Sequence, residues 1–472
     1  MTAAAFAVLC APQGRGQAAA DLPSAPSPAA GVQATLAEGV VVEAAKPEPL
    51  SLSIDEAIER GLKRNLQIEL GLANERRVKG EVKTVENALL PSITVQAQTS
   101  AHEVNLAALG FKPALLADFG LPNFNPVVKY DTTSAQINVN QQLFNVPAYY
   151  LYRSAQKAVG AANYATLNAR GSVALAVGKA YLQALADASQ ISNAQALLKS
   201  DEVEMRQARD SRDAGVGTNL DVLRATVQYQ QQQQLLINDE NAFAKDKIAL
   251  NRLIGLPAGQ ELKLTDPVPY EEISEMPLGE ARDLAYTRRK DYLQLLAELE
   301  TAERSQKAVR YEYAPTVSFG GFYGVLGETH GLYHGVFTAQ GQINVPVFRE
   351  AELRGEREVA ASQVFGLHRQ IASLKDTIDE QIREAMLDVE SSLELVKVAR
   401  SNVDLAHQVL DDATDRFKAG VDDNLPVVQA QATLAGAETR LVQTMYQYNT
   451  AKLTLARNTG VVETRYRDYL GH

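Results

Sequence analysis

Tryptophan is absent from this 472-residue chain, cysteine occurs once, and histidine only six times. A lone Cys10 excludes an internal disulfide and any cysteine metal cluster. The histidines (His102, His330, His334, His368, His407 and His472) are scattered along the chain. His330 and His334 share a four-residue spacing, but they sit with Gly331 and Gly335 in a short loop rather than on a helix, so they read as loop decoration. No nucleophile, acid–base pair or ligand set emerges, so the expectation is no catalytic residue, no metal and no cofactor. Basic charge is also in deficit. The formal charge of −11 leaves no basic face for phosphates and argues against a nucleic-acid partner. Long apolar runs are missing too. With a mean hydropathy of −0.19 the chain offers no stretch of about 20 apolar residues for a spanning helix. What remains is a soluble protein or a β-barrel, whose strands carry a far weaker hydropathy signal.

The N-terminal 50 residues read as a targeting and linker segment. Ala3 to Leu9 form a short apolar run and Ala18-Ala19-Ala20 resemble a small-residue cleavage site, yet no Lys or Arg precedes the run. That pattern fits a truncated or mis-started leader as well as a complete one. Cys10 is a candidate for lipidation, although Leu9 is a poor match for the residue before a lipidated cysteine. Asp21 to Leu50 are rich in Ala, Pro and Ser, as flexible linkers are.

The chain then repeats itself. Ile54-Asp55-Glu56-Ala57 returns as Leu278-Gly279-Glu280-Ala281, and Leu90-Pro91-Ser92-Ile93 as Ala314-Pro315-Thr316-Val317, both at an offset of 224 residues. Leu143-Phe144 matches Val347-Phe348 at an offset of 204. Ala214-Gly215-Val216 matches Ala419-Gly420-Val421, and Arg252-Leu253-Ile254-Gly255 matches Arg457-Asn458-Thr459-Gly460, at 205. Five landmarks in order with one length change indicate a duplication. The halves are 51–255 and 276–460, with a linker at 256–275 and a tail at 461–472. The single step down in offset makes one loop in the first half about 20 residues longer than its twin. That loop, 105–129, is expected to face the outside of the cell, as long loops of outer-membrane barrels do.

Each half reads as a helix, two strands and two long helices. Ile93, Val95 and Ala97 alternate with Thr94, Gln96 and Gln98, and Ala135, Ile137 and Val139 with Gln136, Asn138 and Asn140. The second half repeats the pattern with Val317, Phe319, Tyr323 and Val325, then Phe337, Ala339, Ile343 and Val345. Period-2 alternation is the mark of a strand with two unlike faces, predicted over about 92–104, 132–144, 316–325 and 335–347. The polar face is Gln, Asn, Thr and Ser with almost no charge, which suits a wall between water and lipid. Four strands cannot close a membrane barrel, and an open edge finds no partner in lipid. Three copies give twelve strands, whereas two would give a filled interior.

The remainder is helix at unusual length. Ala148 to Asp213 and Leu353 to Phe417 contain no Pro. About 65 residues at ~1.5 Å each span roughly 100 Å. Val364, Leu367, Ile371, Leu374 and Ile378 keep coiled-coil steps, then the seam shifts phase to Ile382, Ala385, Val389, Leu393 and Val396. Each long helix stops at a glycine, Gly215 or Gly420, and a new one starts with cap chemistry, Thr218-Asn219-Leu220-Asp221 or Asn424-Leu425-Pro426. Beside the second turn, residues 411–423 hold five aspartates (Asp411, Asp412, Asp415, Asp422 and Asp423) against Arg416 and Lys418.

These motifs resemble the TolC family of outer-membrane efflux ducts over nearly all of Ser51 to Gly460. The resemblance is carried by Leu52-Ser53-Ile54-Asp55-Glu56-Ala57, the strand entries at Pro91 and Pro315, Leu220-Asp221-Val222-Leu223 and Arg416-Phe417-Lys418-Ala419-Gly420-Val421. It implies an α+β membrane protein, a homotrimer whose 12-stranded barrel in the outer membrane of a Gram-negative bacterium continues into a periplasmic α-helical barrel. It implies as partners a periplasmic adaptor (membrane fusion) protein, an inner-membrane transporter and outer-membrane lipid, with passive export of drug, metal or protein cargo. Residue by residue, Asp221 matches the first gate aspartate. The second falls at Pro426, with Asp422 and Asp423 nearby as substitutes. Gly215, Val216, Leu220, Gly420, Val421 and Leu425 are the implied adaptor-docking positions. The rival reading is a soluble coiled-coil scaffold whose strands are ordinary hairpins.

Overall fold

The computed structural model describes residues 39–40, 44–45, 47–110, 125–273, 276–419, 421 and 425–471. The leader-like segment with Cys10, most of the long loop, and Gly420, Asp422, Asp423 and Asn424 lie outside the described residues. The described chain divides into two compact units, one of residues 77–159 and 298–366, the other built from the stretches ending at 76, 160–297 and from 367 onward.

In the first unit the sheet is antiparallel in the order β2 (Ser92–Asn105), β3 (Val127–Phe144), β5 (Thr316–Gly327) and β6 (Tyr333–Asn344). The two hairpins of the duplicated halves meet through β3 and β5. The register places Val95 opposite Ile137, Ile137 opposite Tyr323, and Tyr323 opposite Phe337, so one apolar row crosses all four strands. The adjoining row runs Gln96, Gln136, Gly324, Val336. Period-2 geometry puts these rows on opposite faces, as the alternation predicts. β3 begins five residues before its expected start at 132, and β6 ends at Asn344 rather than 347. Pro346 explains the second difference, because it has no N–H to give a ladder and holds Val345 extended. In the first half Asn145 ends the strand instead. Its side chain accepts from the Ala148 N–H at 3.0 Å and opens α3 (Val146–Asp213). Within this unit α3 is held to α6 (Lys290–Arg310) by the Ser154 hydroxyl, which donates to the Thr301 carbonyl at 2.8 Å. Beside that contact the rings of Tyr150 and Tyr311 stack at 5.1 Å.

The second unit holds the apolar core. The single opening helix expected in each half is two: α1 (Ile54–Arg64) and α2 (Leu66–Glu86), then α5 (Leu278–Arg288) and α6. Asn65 and Arg289 break them, each with extended backbone. Neither residue is a helix breaker by propensity. Arg289 stays at its break because Asp291 takes its guanidinium at 3.1 and 2.7 Å while Gln381 accepts at 2.9 Å. Ser53 caps α1 in a reciprocal box with Glu56. The stretch read as linker carries β4 (Leu262–Leu264), which pairs in parallel with β1 (Leu50–Leu52). Leu52, Ile54, Ile58, Val177, Tyr181, Leu250, Ile254 and Leu453 pack into one cluster. Each buried aliphatic side chain contributes roughly 1.5–3 kcal/mol. The Tyr181 hydroxyl, fully buried, donates to the Leu52 carbonyl at 3.0 Å. Lys452, also sealed, donates to the Glu271 carbonyl at 3.1 Å beneath the Tyr448 ring. Burial pulls its ammonium down to about 8. The stretch read as a tail forms α9 (Val462–Leu470), whose Arg467 pairs at 2.8 Å with Asp55, 412 residues earlier.

The long helices are α3, α4 (Asn219–Leu253), α7 (Glu350–Lys418) and α8 (Leu425–Asn458). Along α7 the seam residues Ile371, Ile378, Ile382, Ala385 and Val396 are buried, and the phase shift after Ile378 is present.

At Gly324 the neighbouring backbone is too near for a side chain, since a Cβ would lie 2.2 Å from the Ala135 carbonyl oxygen. Around Gly335 there is open space. Gly324→Val is therefore expected to break the β3–β5 ladder and abolish the folded, heat-modifiable form on a denaturing gel. Gly335→Ala should leave that form intact.

Candidate functional site

Two features carry chemistry: the sheet in the first unit and the helical hairpin ends in the second. On the sheet's apolar side Ile93, Val95, Tyr323, Phe337 and Ile343 are two-thirds or more exposed in the single chain. From Val317 to Val325 the apolar side runs eight residue steps, about 26 Å along the strand at ~3.3 Å per residue. That is comparable with the ~25 Å lipid-facing band of an outer-membrane barrel. Above it the same side turns charged, with Glu103 and Lys129 paired at 3.2 Å. The opposite side presents Thr94, Gln96, Gln98, Asn138 and Gln340, interrupted by Phe322, Leu326 and Val336. Those three departures lie where alternation in the second half is weakest. The outer edges of β2 and β6 have no strand beside them among the described residues.

The hairpin end between α3 and α4 is built by one left-handed residue. Gly215, at φ +76°, lets the chain reverse. The amides of Val216 and Gly217 then donate back to the Ser211 carbonyl at 3.0 and 2.9 Å, closing the end of α3. Thr218 starts α4. Its hydroxyl accepts from the Asp221 N–H at 3.2 Å and donates to the Asp221 carboxylate at 2.6 Å, while the Thr218 N–H donates to the same carboxylate at 3.2 Å. The expected capping box is thus present, and Asp221, the implied gate residue, serves in it with Arg224 at 3.9 Å. A carboxylate at a helix N-terminus also suits the macrodipole. Val216 (83% exposed), Leu220 and Leu223 stand outward from this end. Below them Met205 and Ala208 of α3 pack on Val222 and Ala225 of α4, beside Tyr229. Sequence reading passed over this lock, although three-residue spacing on each arm marks it.

At the second hairpin end the Ala419 amide donates to Asp415 and the Val421 amide to Arg416, at 2.9 and 3.1 Å. Val421 is exposed and Leu425 opens α8. Of the nine residues singled out from the sequence, six are therefore placed at hairpin ends, and Gly420, Asp422 and Asp423 fall outside the described residues. Among the described residues no helix is long and apolar enough to cross a membrane, and no group of acidic, His or Cys side chains is set to hold a metal.

The family model described as outer membrane efflux protein matches residues 57–256 and 281–461. A probable efflux pump outer membrane protein of Pseudomonas putida, TtgC, is 24% identical over 298 residues, covering 60% of this chain and 59% of that protein. This chain thus spans about three fifths of that relative's length. The alkaline protease secretion protein AprF of Pseudomonas aeruginosa is 23% identical over 350 residues, 71% of each chain. Among solved structures, the CmeC outer membrane channel of Campylobacter jejuni superimposes with a TM-score of 0.73 at 14% identity, covering 87% of this chain and 86% of its own.

Removing the Thr218 hydroxyl tests the first hairpin end. Thr218→Ala deletes both contacts of the hydroxyl, leaving only the backbone N–H to Asp221, and should cost about 1 kcal/mol locally. Hydrogen exchange of the amides at 219–222 should rise roughly fivefold, with exchange at the Leu52–Tyr181 core unchanged.

Proposed function

Because the chain belongs to the outer membrane efflux protein family, we propose that it is the outer-membrane channel of a tripartite export system. The proposed assembly is a homotrimer in which four strands per chain close a 12-stranded barrel and the long helices form a tunnel in the periplasm. Cargo passes down it without any catalytic step. The observation that carries this reading is the open sheet: one largely apolar face, one largely neutral polar face, and two edges with no strand beside them among the described residues. Unpaired N–H and C=O groups cannot be left in lipid, so such a sheet requires further copies. The helices support the same reading. Leu395, Val398, Leu405 and Val409 on α7, and Leu223, Val227, Ile237 and Ile248 on α4, keep coiled-coil spacing yet stay about half exposed in one chain. A soluble scaffold gives the exposed apolar sheet face no role and is disfavoured.

Within this reading residues 51–255 and 276–460 are the two copies of a duplicated unit. The turns at Gly215, Val216 and Leu220, and at Gly420, Val421 and Leu425, are the docking ends for a periplasmic adaptor that links the duct to an inner-membrane transporter. Asp221, Asp422 and Asp423 line the narrow end. The relatives' names include both efflux pumps and a protease secretion system, and a wide polar duct records little of its cargo.

Assembly is tested by cross-linking the detergent-solubilised protein and measuring its mass. A three-chain species is expected, and a folded monomer or dimer as the largest form would overturn the barrel. The narrow end is tested separately in a planar bilayer. Low-dielectric walls focus the field of the 411–423 aspartates over about 10 Å at 0.1 M salt, so the channel should prefer cations and be blocked by multivalent ones. Asp422→Asn with Asp423→Asn should weaken both selectivity and block. Unchanged values would move those aspartates away from the pore.

A further inference from the structure

About three turns before α3 ends, its apolar seam is interrupted. Ala194 and Ala208 are 4% and 5% exposed, and the residue midway between them at heptad spacing is Asp201, 2% exposed. Glu204, on the same face, is 8% exposed. Facing them within the second unit are the amide side chains of Gln228 on α4 and Gln431 on α8. Gln232 of α4, also buried, donates to the Ala194 carbonyl at 3.3 Å. The Gln228 and Gln431 amides lean toward Asp201 and Glu204 as weak donors, but both oxygens of Asp201, Oε1 of Glu204 and Oε1 of Gln431 are sealed from solvent with no partner within 3.5 Å. The layer is therefore rich in acceptors and short of donors.

Among the described residues no cation makes up the difference. On α3, Lys199 is exposed and Arg206 pairs with Glu202 on the outer surface. On α4 the nearest charges are Arg224 and Asp221, which face each other at the turn. On α8 no residue from Leu425 to Ala437 is charged, and the next, Glu438, lies 3.8 Å from His407 of α7. Two heptads earlier in the same phase of α3, Asp187 shares a hydrogen bond with Asp246 of α4 beside Asp239. It borders a polar crevice of about 310 Å³ with Gln183, Gln190 and Gln443. One helix face thus carries carboxylates at two levels of a seam that is otherwise closed.

We propose that this layer is a proton-operated latch, in which protons held by Asp201 and Glu204 supply the missing donors that clamp α3 to α4 and α8, and their loss loosens the hairpin end. Burial pushes Asp201 up to about 6 and Glu204 up to about 7, with the Asp201 charge adding to the second. Both folded values lie above the ordinary carboxylate range. The layer's stability is therefore complete below about pH 4 and is lost as pH rises through about 6 and then about 7. Asp201 is already closed to water within one chain, so further copies of the chain cannot hydrate it. The latch depends on this bundle alone and stands whether or not the duct conducts.

The test uses the full-length protein in detergent between about pH 5 and about pH 8. Infrared difference spectra should show a carboxylic-acid carbonyl band that disappears over this range and is reduced in Asp201→Asn with Glu204→Gln. The thermal midpoint of the parent should fall as pH rises, and the double variant should lose at least half of that fall. The remainder belongs to Asp187 and Glu312, the other carboxyls that burial pushes up to about 7. If the double variant does not fold, Glu204→Gln alone is read in the same two ways. An unchanged fall in the variant, or no titrating acid band in the parent, overturns the latch. So does a midpoint that follows added magnesium instead of pH, which would place a cation in the layer.

Discussion

The backbone's demand for hydrogen-bond partners governs this molecule. A helix meets that demand within itself, so helices of 68 and 69 residues can run without neighbours dictating their length. A strand meets it only sideways. Among the described residues four strands satisfy three seams and leave two edges open, and in the lipid proposed for the apolar face water is no substitute partner. In the proposed channel, oligomerisation is then a condition of folding in lipid rather than an addition to it.

The duplicated halves solve equivalent problems with different residues. The first passes from strand to helix through Asn145, whose side chain caps the helix that follows. The second does so through Pro346, which ends the ladder by lacking a donor. The opening helices break at Asn65 in one half and at Arg289 in the other, the latter fixed by Asp291, Gln381 and the Asn458 carbonyl. Between the two halves the backbone path has been kept while the chemistry that enforces it has changed.

That difference sets what can be read from sequence. The strands were legible because alternation is a local pattern, and Gly215 with Thr218 and Asp221 because caps act within four residues. The helix breaks were not, since Arg289 holds its position through residues about 90 and 170 places away. The same holds for β1 and β4, three-residue strands whose pairing spans 212 positions. Asp201 left a signal that period analysis can find, a charge at the same heptad phase as Ala194 and Ala208. Its burial depends on α4 and α8, which no local window contains.

The contact between Asp55 and Arg467 has a consequence for how the chain is made. The core that contains Leu52, Ile54 and Ile58 also contains Leu453, Val462 and Leu470. A chain emerging from the ribosome at ~5–20 residues per second therefore spends tens of seconds unable to complete that core. Contact order this high slows folding and keeps the growing polypeptide loose. For the proposed outer-membrane channel, which would be threaded across one membrane before assembling in another, late closure keeps the chain in a state that can still be threaded.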